Sequence, residues 1–166
     1  MTSARSPQHE DILKRINFLV IGAQKAGTTW LDDMLRQHPD VFTPPQKELH
    51  FFSKLSNFDK GLAWYCDHFS LLGDEKAVGE CTPNYIRTVF ASDEWSQAES
   101  DRVPQRVQSI LPDVKLIVSL RDPVERAISA YRHFVTRGNV PPRKRLRDVT
   151  HLFGLAAFGR YAENLE

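Results

Sequence analysis

The pattern of apolar and polar positions along the chain predicts short strands that alternate with amphipathic helices. The continuous apolar run at residues 18–21 is typical of a buried parallel strand, and the run at 116–118 predicts a second strong strand. Helical periodicity follows each run, over residues 28–37 and 123–137. A shorter apolar segment at residues 77–80 predicts a weaker strand between them. This alternation predicts an α/β fold, in which a parallel sheet is flanked by helices.

The same pattern predicts which helix faces are buried. In the first helix, Trp30, Leu31, Met34 and Leu35 fall on one stripe, which we expect to face the sheet. In the second helix the apolar residues also recur at the spacing of one helical face. They are Val124, Ala127, Ile128, Tyr131, Phe134 and Val135.

The composition is that of an ordinary globular domain and excludes several classes of protein. The chain has 166 residues, 41% of them hydrophobic, and 22 basic against 21 acidic residues give a net charge of +1. This balance argues against a protein that binds nucleic acid through bulk positive charge, so we expect no nucleic acid partner. No apolar run approaches the ~18 residues of a membrane-spanning helix, so we expect no membrane span.

The amino terminus and the cysteines indicate the cellular compartment. Residues 1–15 are polar, and we expect a flexible leader there rather than a secretory signal. Cys66 and Cys81 are too few for a disulfide framework, and no C-x-x-C pattern offers a zinc site. A reducing compartment is the simplest interpretation, and we expect a cytoplasmic location.

The near-neutral charge is unevenly distributed. Residues 121–147 contain eight basic and two acidic side chains, so this segment carries +6 and the remainder carries −5. A local cationic region favours an anionic small molecule or a polyanion nearby. The alternative is a basic helix and loop that are simply solvated.

A glycine-containing loop at residues 22–29 joins the first strand to the first helix. Its G-x-x-x-x-G spacing matches a phosphate loop, and the helix N-terminus that follows favours an anion. Thr28 stands where a nucleoside triphosphatase carries lysine, and the lysine lies inside the loop at Lys25. The alternative is a structural turn with an incidental lysine.

The end of the second strong strand also differs from that of a nucleoside triphosphatase. Such enzymes usually place an aspartate for magnesium there, whereas this chain has Arg121 first. A guanidinium suits bidentate phosphate binding, and Ser129 lies about two helical turns further on. Two anion sites at one edge of a parallel sheet indicate a nucleotide with phosphates at both ends. The alternative for Arg121 is an ion pair with Asp122 or Glu125.

Four segments resemble the sulfotransferases that use 3′-phosphoadenosine 5′-phosphosulfate (PAPS). The loop QKAGTT at residues 24–29 resembles their 5′-phosphosulfate loop, and RDPVERAISAY at 121–131 resembles their 3′-phosphate segment. KELHFF at residues 47–52 is similar to the segment with the catalytic base in the heparan sulfate N- and 3-O-sulfotransferase branch. GECTPNY at residues 79–85 matches the same branch.

This resemblance implies a P-loop-like α/β domain that transfers a sulfuryl group from PAPS to a hydroxyl or amine acceptor and releases 3′-phosphoadenosine 5′-phosphate (PAP). We expect the acceptor to be a carbohydrate, that is, a glycan. No metal is required by this reaction. The implied catalytic residues are Lys25, Glu48 as general base, and His50. The implied donor-binding residues are Gln24, Lys25, Ala26, Gly27, Thr28, Thr29, Arg121 and Ser129. The alternatives are a surface carboxylate at Glu48 and a packed or solvated imidazole at His50.

Two features depart from the family pattern. Cys81 stands where several members carry a lysine, and we expect it to be a small buried side chain. Residues 159–166 have the pattern of the beginning of a helix without a stop signal. We therefore expect the sulfotransferase domain predicted at 16–166 to be C-terminally incomplete, and this chain alone to be poorly stable and weakly active. Two other functions stay open: a catalytically inactive PAP- or PAPS-binding remnant, and a P-loop kinase.

Overall fold

Four parallel strands flanked by helices form the fold, as the sequence predicts. The computed structural model describes residues 7–86 and 102–165. Within them the strand order is β2-β3-β1-β4, so both strong strands lie side by side with their carboxyl ends at one edge. The strands are β1 (Ile16–Gly22), β2 (Val41–Phe42), β3 (Ala77–Cys81) and β4 (Lys115–Val118).

Helices surround this sheet, and the helices predicted after β1 and β4 are present. None of the described helices has the length and apolar character needed to cross a membrane. The helices are α1 (Pro7–Arg15), α2 (Thr28–Arg36), α3 (Leu55–Phe58), α4 (Gly61–Asp67), α5 (Val103–Ile110), α6 (Pro123–Thr136) and α7 (Tyr161–Leu165), and 3-10 turns lie at Leu146–Asp148 and Ala157–Gly159.

The centre of the sheet is packed tightly between β1 and β3. Leu19 and Val20 on β1 are fully buried. Gly79 on β3 lies opposite Phe18, and a Cβ atom at Gly79 would collide with the carbonyl oxygen and the ring of Phe18. The glycine at this position therefore permits the close approach of the two strands that hold the candidate site.

Residues 7–15, predicted as part of a flexible leader, form α1 instead. Ile12 on this helix is 9% exposed and belongs to the main core. The Cys66 thiol donates a hydrogen bond to the His9 carbonyl at 3.6 Å, and the Arg15 guanidinium donates to the Glu75 carbonyl at 2.9 Å. These contacts come from segments more than 50 residues away, so the local pattern does not reveal them.

The buried face of α2 differs in part from the predicted stripe. Leu31 and Leu35 pack towards the sheet as expected, but Trp30 is 67% exposed and Met34 is 40% exposed. Asp32 is buried instead, and Arg36 one turn later pairs with its carboxylate, with 3.0 Å between Arg36 Nε and Asp32 Oδ2. This helical ion pair compensates the burial of the charge.

The buried face of α6 is also shifted. Tyr131, Phe134 and Val135 pack against a second core cluster, as predicted. Val124, however, is 66% exposed, and Arg126 is fully buried. The Arg126 guanidinium donates to backbone carbonyls near residue 154, which the spacing of apolar residues does not predict.

The strand β4 forms where the second apolar run predicts it, but it is more exposed than β1. It is one of the two edge strands among the four that the structure describes, and β2 is the other. Leu116 is 55% exposed and Ile117 is 37% exposed, whereas the central strand β1 is buried. The continuous apolar run therefore predicts the strand correctly, whereas its burial depends on its place at the edge of the sheet.

An aromatic cluster fills the core beside the sheet. Phe51 and Phe52 are almost fully buried, so this pair serves core packing. The Phe51 ring stacks on Tyr65 at 4.5 Å between centroids, and Phe52 packs edge-on against Tyr85 at 5.4 Å. This core supports the loop at residues 47–50 from below.

Candidate active site

The glycine-containing loop at residues 22–29 is anchored to the end of β4. The Ser119 amide donates to the Gly22 carbonyl at 2.8 Å, and the Ala23 amide donates to the Ser119 carbonyl at 2.8 Å. The Ser119 hydroxyl also donates to the Ala26 carbonyl at 2.6 Å. These bonds extend the contact between β1 and β4 into the loop and hold it at the carboxyl edge of the sheet.

The loop turns through two residues with left-handed backbone conformation. Lys25 has φ 67° and Gly27 has φ 88°, and Gly27 caps the N-terminus of α2. The Ala26 amide donates to the Ala23 carbonyl at 3.1 Å, so it takes part in the turn of the loop itself. The N–H groups of Thr28 and the next residue belong to the first turn of α2, where no intrahelical acceptor exists. These amides and the helix dipole favour an anion.

Arg121 reaches this loop from the end of β4. Its Nη1 atom donates to the Lys25 carbonyl at 3.4 Å, and its Nη2 atom lies 3.3 Å from Glu125 Oε2. The ion pair considered as the alternative for Arg121 is therefore present, but it is exposed to solvent. Exposed pairs contribute about 0–1 kcal/mol, so a bound phosphate can replace Glu125 at little cost.

The predicted donor and catalytic residues surround one cavity of about 520 Å³. Three cationic side chains and one carboxylate line it, a balance that favours an anionic ligand. Its lining residues are Gln24, Lys25, Gly27, Thr28, Thr29, Glu48, Pro83, Arg121, Ser129, His133, Phe134 and Arg137. Ala26 lies buried within the loop, and His50 lies behind Glu48.

Glu48 and His50 form a pair in the loop that follows β2. Both residues adopt left-handed backbone conformation, with φ 58° and 53°. His50 Nε2 lies 3.5 Å from Glu48 Oε2, and His50 Nδ1 lies 3.3 Å from the Ser53 hydroxyl. The Glu48 side chain is 44% exposed and the His50 side chain 13%. The imidazole is thus buried beneath the carboxylate and orients it towards the cavity.

The surroundings of Glu48 stabilise its ionised form. The hydrogen bond from His50 is the largest cause that lowers the pKa of Glu48, and partial burial opposes it. The charges of His50, Lys47 and Arg137 lower this pKa further. Glu48 is therefore ionised at neutral pH, the form in which a carboxylate can accept a proton.

Lys47 connects the loop with the base to the glycine-containing loop. Its ammonium donates to the Thr29 hydroxyl at 2.7 Å, and its charge lowers the pKa values of both Glu48 and Cys81.

Cys81 is 2% exposed, and burial raises the pKa of its thiol to about 12. The thiol donates to the Thr28 carbonyl at 3.5 Å. This environment confirms that Cys81 is a small buried side chain.

Two cavity residues, His133 and Arg137, are not predicted by the sequence reasoning. Burial and the charges of Lys25 and Arg137 lower the pKa of His133, while Glu48 opposes this effect. His133 therefore lies near Lys25 and Glu48, and Arg137 lies near Glu48 and His133. The signal that reveals them is helical spacing, because they follow Ser129 at intervals of four residues along one face of α6.

The described part of the chain has no group of three or more His, Cys, Asp or Glu residues that could hold a metal ion. What the cavity presents is a backbone loop, cations and a carboxylate. This arrangement suits a ligand with phosphate or sulfate groups and a reaction that removes one proton from an acceptor.

Known proteins with the same sequence pattern are sulfotransferases. The sulfotransferase domain family matches residues 15–166. The membrane-associated sulfotransferase kil1 of Dictyostelium discoideum is 38% identical over 76% of this chain and 25% of its own length. The human heparan sulfate glucosamine 3-O-sulfotransferase 3B1 is 36% identical over 89% of this chain and 36% of its own length. This chain thus spans between a quarter and little more than a third of the length of these relatives.

A solved structure agrees with the sequence relatives. The sulfotransferase from Alicyclobacillus acidocaldarius superimposes with a TM-score of 0.70 and 31% identity, covering 90% of this chain and 66% of that protein. The kinase alternative finds no support in these matches. Because the family match extends over nearly all of the sequence, and both sequence relatives and a solved structure agree with it, the chain belongs to the sulfotransferase domain family.

Proposed function

We propose that this chain takes part in transfer of a sulfuryl group from PAPS to a hydroxyl or amine group of a carbohydrate. The observation that carries the proposal is one cavity in which the loop of Lys25, the guanidinium of Arg121 and the carboxylate of Glu48 meet. A phosphate-binding loop alone suits many nucleotides. A carboxylate in the same cavity also suits a transfer reaction in which the attacking hydroxyl or amine loses a proton.

The donor would be held at both of its ends. Lys25, the amides at the start of α2 and the side chains of Gln24, Thr28 and Thr29 suit its 5′-phosphosulfate group. Arg121 and Ser129 line the same cavity and suit a 3′-phosphate. PAPS would supply the activated sulfuryl group, and the chain supplies binding, orientation and proton removal.

Two residues of the chain act on opposite sides of the transferred group. Lys25 and the helix N-terminus stabilise the negative charge that grows on the phosphate oxygen as the bond to sulfur breaks. Glu48 accepts the proton of the attacking hydroxyl or amine, and His50 keeps the carboxylate oriented. The proton therefore moves to Glu48 while the electron pair of the broken bond stays on PAP.

The acceptor side of the cavity supports a carbohydrate substrate. His133 and Arg137 lie close enough to Glu48 to exert charge effects, and they provide hydrogen-bond donors for hydroxyl or anionic groups of a sugar. Several relatives are heparan sulfate sulfotransferases by name. Heparan sulfate is therefore the first acceptor to test.

The test is transfer of radioactive sulfate from labelled PAPS to heparan sulfate. We expect Lys25→Ala and Glu48→Gln to lower the rate by about 10²-fold or more, the range seen for a lost oxyanion donor or general base. Lys14→Ala and Glu10→Gln change the same residue types on α1 and should keep the wild-type rate. Unchanged rates in both site variants would contradict the mechanism, and PAP binding without transfer by wild-type protein would favour the inactive remnant.

A further inference from the structure

A buried carboxylate lies directly beneath the loop that holds the proposed base. Glu80 is 1% exposed and belongs to β3. It alternates with Gly79 and Cys81 along the strand, so it points to the same side as Val78, into the aromatic core. The proposed mechanism assigns no role to this acid.

Two hydroxyl groups direct their protons to this carboxylate. The Thr82 hydroxyl donates to Glu80 Oε2 at 2.7 Å, and the Tyr85 hydroxyl donates to Glu80 Oε1 at 2.8 Å. A hydroxyl has one proton to donate and lone pairs that accept. Because both protons point towards Glu80, the lone pairs of both hydroxyls are available on their other side.

Those lone pairs accept hydrogen bonds from backbone N–H groups of the loop at residues 48–52, which carries Glu48. The His50 amide lies 3.4 Å from the Thr82 hydroxyl oxygen, and the Phe52 amide lies 3.4 Å from the Tyr85 hydroxyl oxygen. The Leu49 amide donates to the Glu80 carboxylate itself. One buried acid therefore organises the hydrogen bonds of three amides of the loop.

The loop needs this support because it lacks regular secondary structure. Glu48 and His50 both adopt left-handed backbone conformation, which costs about 1 kcal/mol or more at residues other than glycine. The Glu48 amide is held separately, by the Cys81 carbonyl at 3.2 Å. The remaining amides named above depend on Glu80 or on hydroxyls that Glu80 orients.

Burial of the acid is unfavourable, which sets Glu80 apart from an ordinary packing residue. Desolvation raises the pKa of Glu80 to about 7, against the hydrogen bonds from Thr82 and Tyr85. The phenols of Tyr65 and Tyr85 face the carboxylate, and burial raises their pKa values well above the ordinary value. An apolar residue would avoid the cost of desolvation, but it would leave the two hydroxyls unoriented.

We propose that Glu80 is a positioning residue, which orients the hydroxyls of Thr82 and Tyr85 so that the backbone of residues 49–52 is held and Glu48 is placed at the glycine-containing loop. The catalytic consequence rests on the function proposed above. The structural consequence, a loop held by Glu80, does not.

The first test is hydrogen–deuterium exchange of the whole chain carrying Glu80→Gln. Glutamine keeps the shape but must donate to one hydroxyl, whose proton then turns towards a loop amide. We expect amides within residues 48–52 to exchange about 5- to 10-fold faster, the effect of losing one hydrogen bond, while β1 is unchanged. Unchanged exchange in the loop, or equal acceleration in β1, would overturn the proposal.

The second test separates the hydroxyl from the packing of the side chain. Thr82→Val removes the hydroxyl and keeps the shape, whereas Thr82→Ser keeps the hydroxyl. We expect faster exchange at His50 in the valine variant and near wild-type exchange in the serine variant. This pair decides the question even where Glu80→Gln does not fold, and identical behaviour of the two variants would contradict the proposal.

The third test measures kcat and KM with PAPS and heparan sulfate. A displaced base should lower kcat of Glu80→Gln by about 10²-fold and leave the KM for PAPS within about 3-fold, because the donor loop is not altered. A change in KM alone would contradict positioning of the base. Absence of transfer by wild-type protein would contradict the proposed function, and the exchange experiments would still decide the role of Glu80.

Discussion

At the scale of single residues, Arg121 and Ser129 offer a test of how the site distinguishes nucleotides. Both line the cavity, and the proposed function assigns them to the 3′-phosphate. We expect Arg121→Ala to weaken PAP binding by about 10- to 100-fold, the value of a charge-assisted hydrogen bond. Binding of AMP, which lacks the 3′-phosphate, should change little.

Calorimetric titration with PAP and with AMP measures this difference. Arg143→Ala removes an exposed arginine from the basic loop and serves as the control. Equal losses for both nucleotides in Arg121→Ala would show that Arg121 does not recognise the 3′-phosphate.

The pair of Glu48 and His50 gives a second prediction for single residues. The hydrogen bond from His50 is the main cause of the lowered pKa of Glu48. Its removal in His50→Ala should raise this pKa, so that the Glu48 carboxylate takes up its proton at a higher pH than in wild type.

Carbon-13 NMR of the glutamate carboxyl groups follows that titration directly. His38→Ala is a suitable control, because His38 lies at the end of α2 and accepts a hydrogen bond from the Asp40 amide. A Glu48 titration that is the same in His50→Ala and in wild type would contradict the assigned cause.

The sequence predicted some residues of the cavity and missed others for a physical reason. Lys25 and Glu48 lie in short segments whose spacing and resemblance identify them, and the structure brings both to one cavity. The network of Glu80 joins residues about 30 positions apart. Such pairing depends on the register between β3 and the loop, and no local pattern contains that information.

At the scale of elements, the start of α6 determines where Arg121 lies. The Asp122 carboxylate accepts hydrogen bonds from the amides of Val124 at 3.0 Å and Glu125 at 2.9 Å, and Pro123 occupies the first helical position. We expect Asp122→Ala to lower the free energy of unfolding by about 1 kcal/mol, the usual value of an N-cap.

Urea denaturation of the whole chain measures that loss. Asp113→Ala changes an exposed aspartate in the turn before β4 and should stay within about 0.5 kcal/mol of wild type. Equal stabilities of the two variants would contradict the capping role of Asp122.

Element boundaries were predictable where the local pattern agrees with the fold. The loop after β1 and the Asp-Pro start of α6 have clear signals in the sequence. The helix α1 has few apolar residues and is stabilised by contacts with α4 and β1, so the sequence alone indicated a leader. The burial of Asp32 and the exposure of Trp30 likewise depend on how α2 packs against the sheet.

At the scale of the whole molecule, the parallel sheet places two distant segments at one edge. The contact of β1 with β4 brings Lys25 within reach of Arg121, which lies 96 residues later in the chain. The contact of β1 with β3 places Thr82 and the loop at residues 48–52 beside Lys25 and Arg121. The strand order therefore brings the glycine-containing loop, Arg121 and Glu48, the residues proposed to bind the donor and to accept the proton, to one cavity.

Titration of the chain with PAP, ATP and ATP–Mg by calorimetry tests the central claim most directly. A site built for a nucleotide with phosphates at both ends should bind PAP at least about tenfold more tightly than ATP–Mg, and magnesium should not change the affinity for PAP. A clear preference for ATP–Mg would contradict the account.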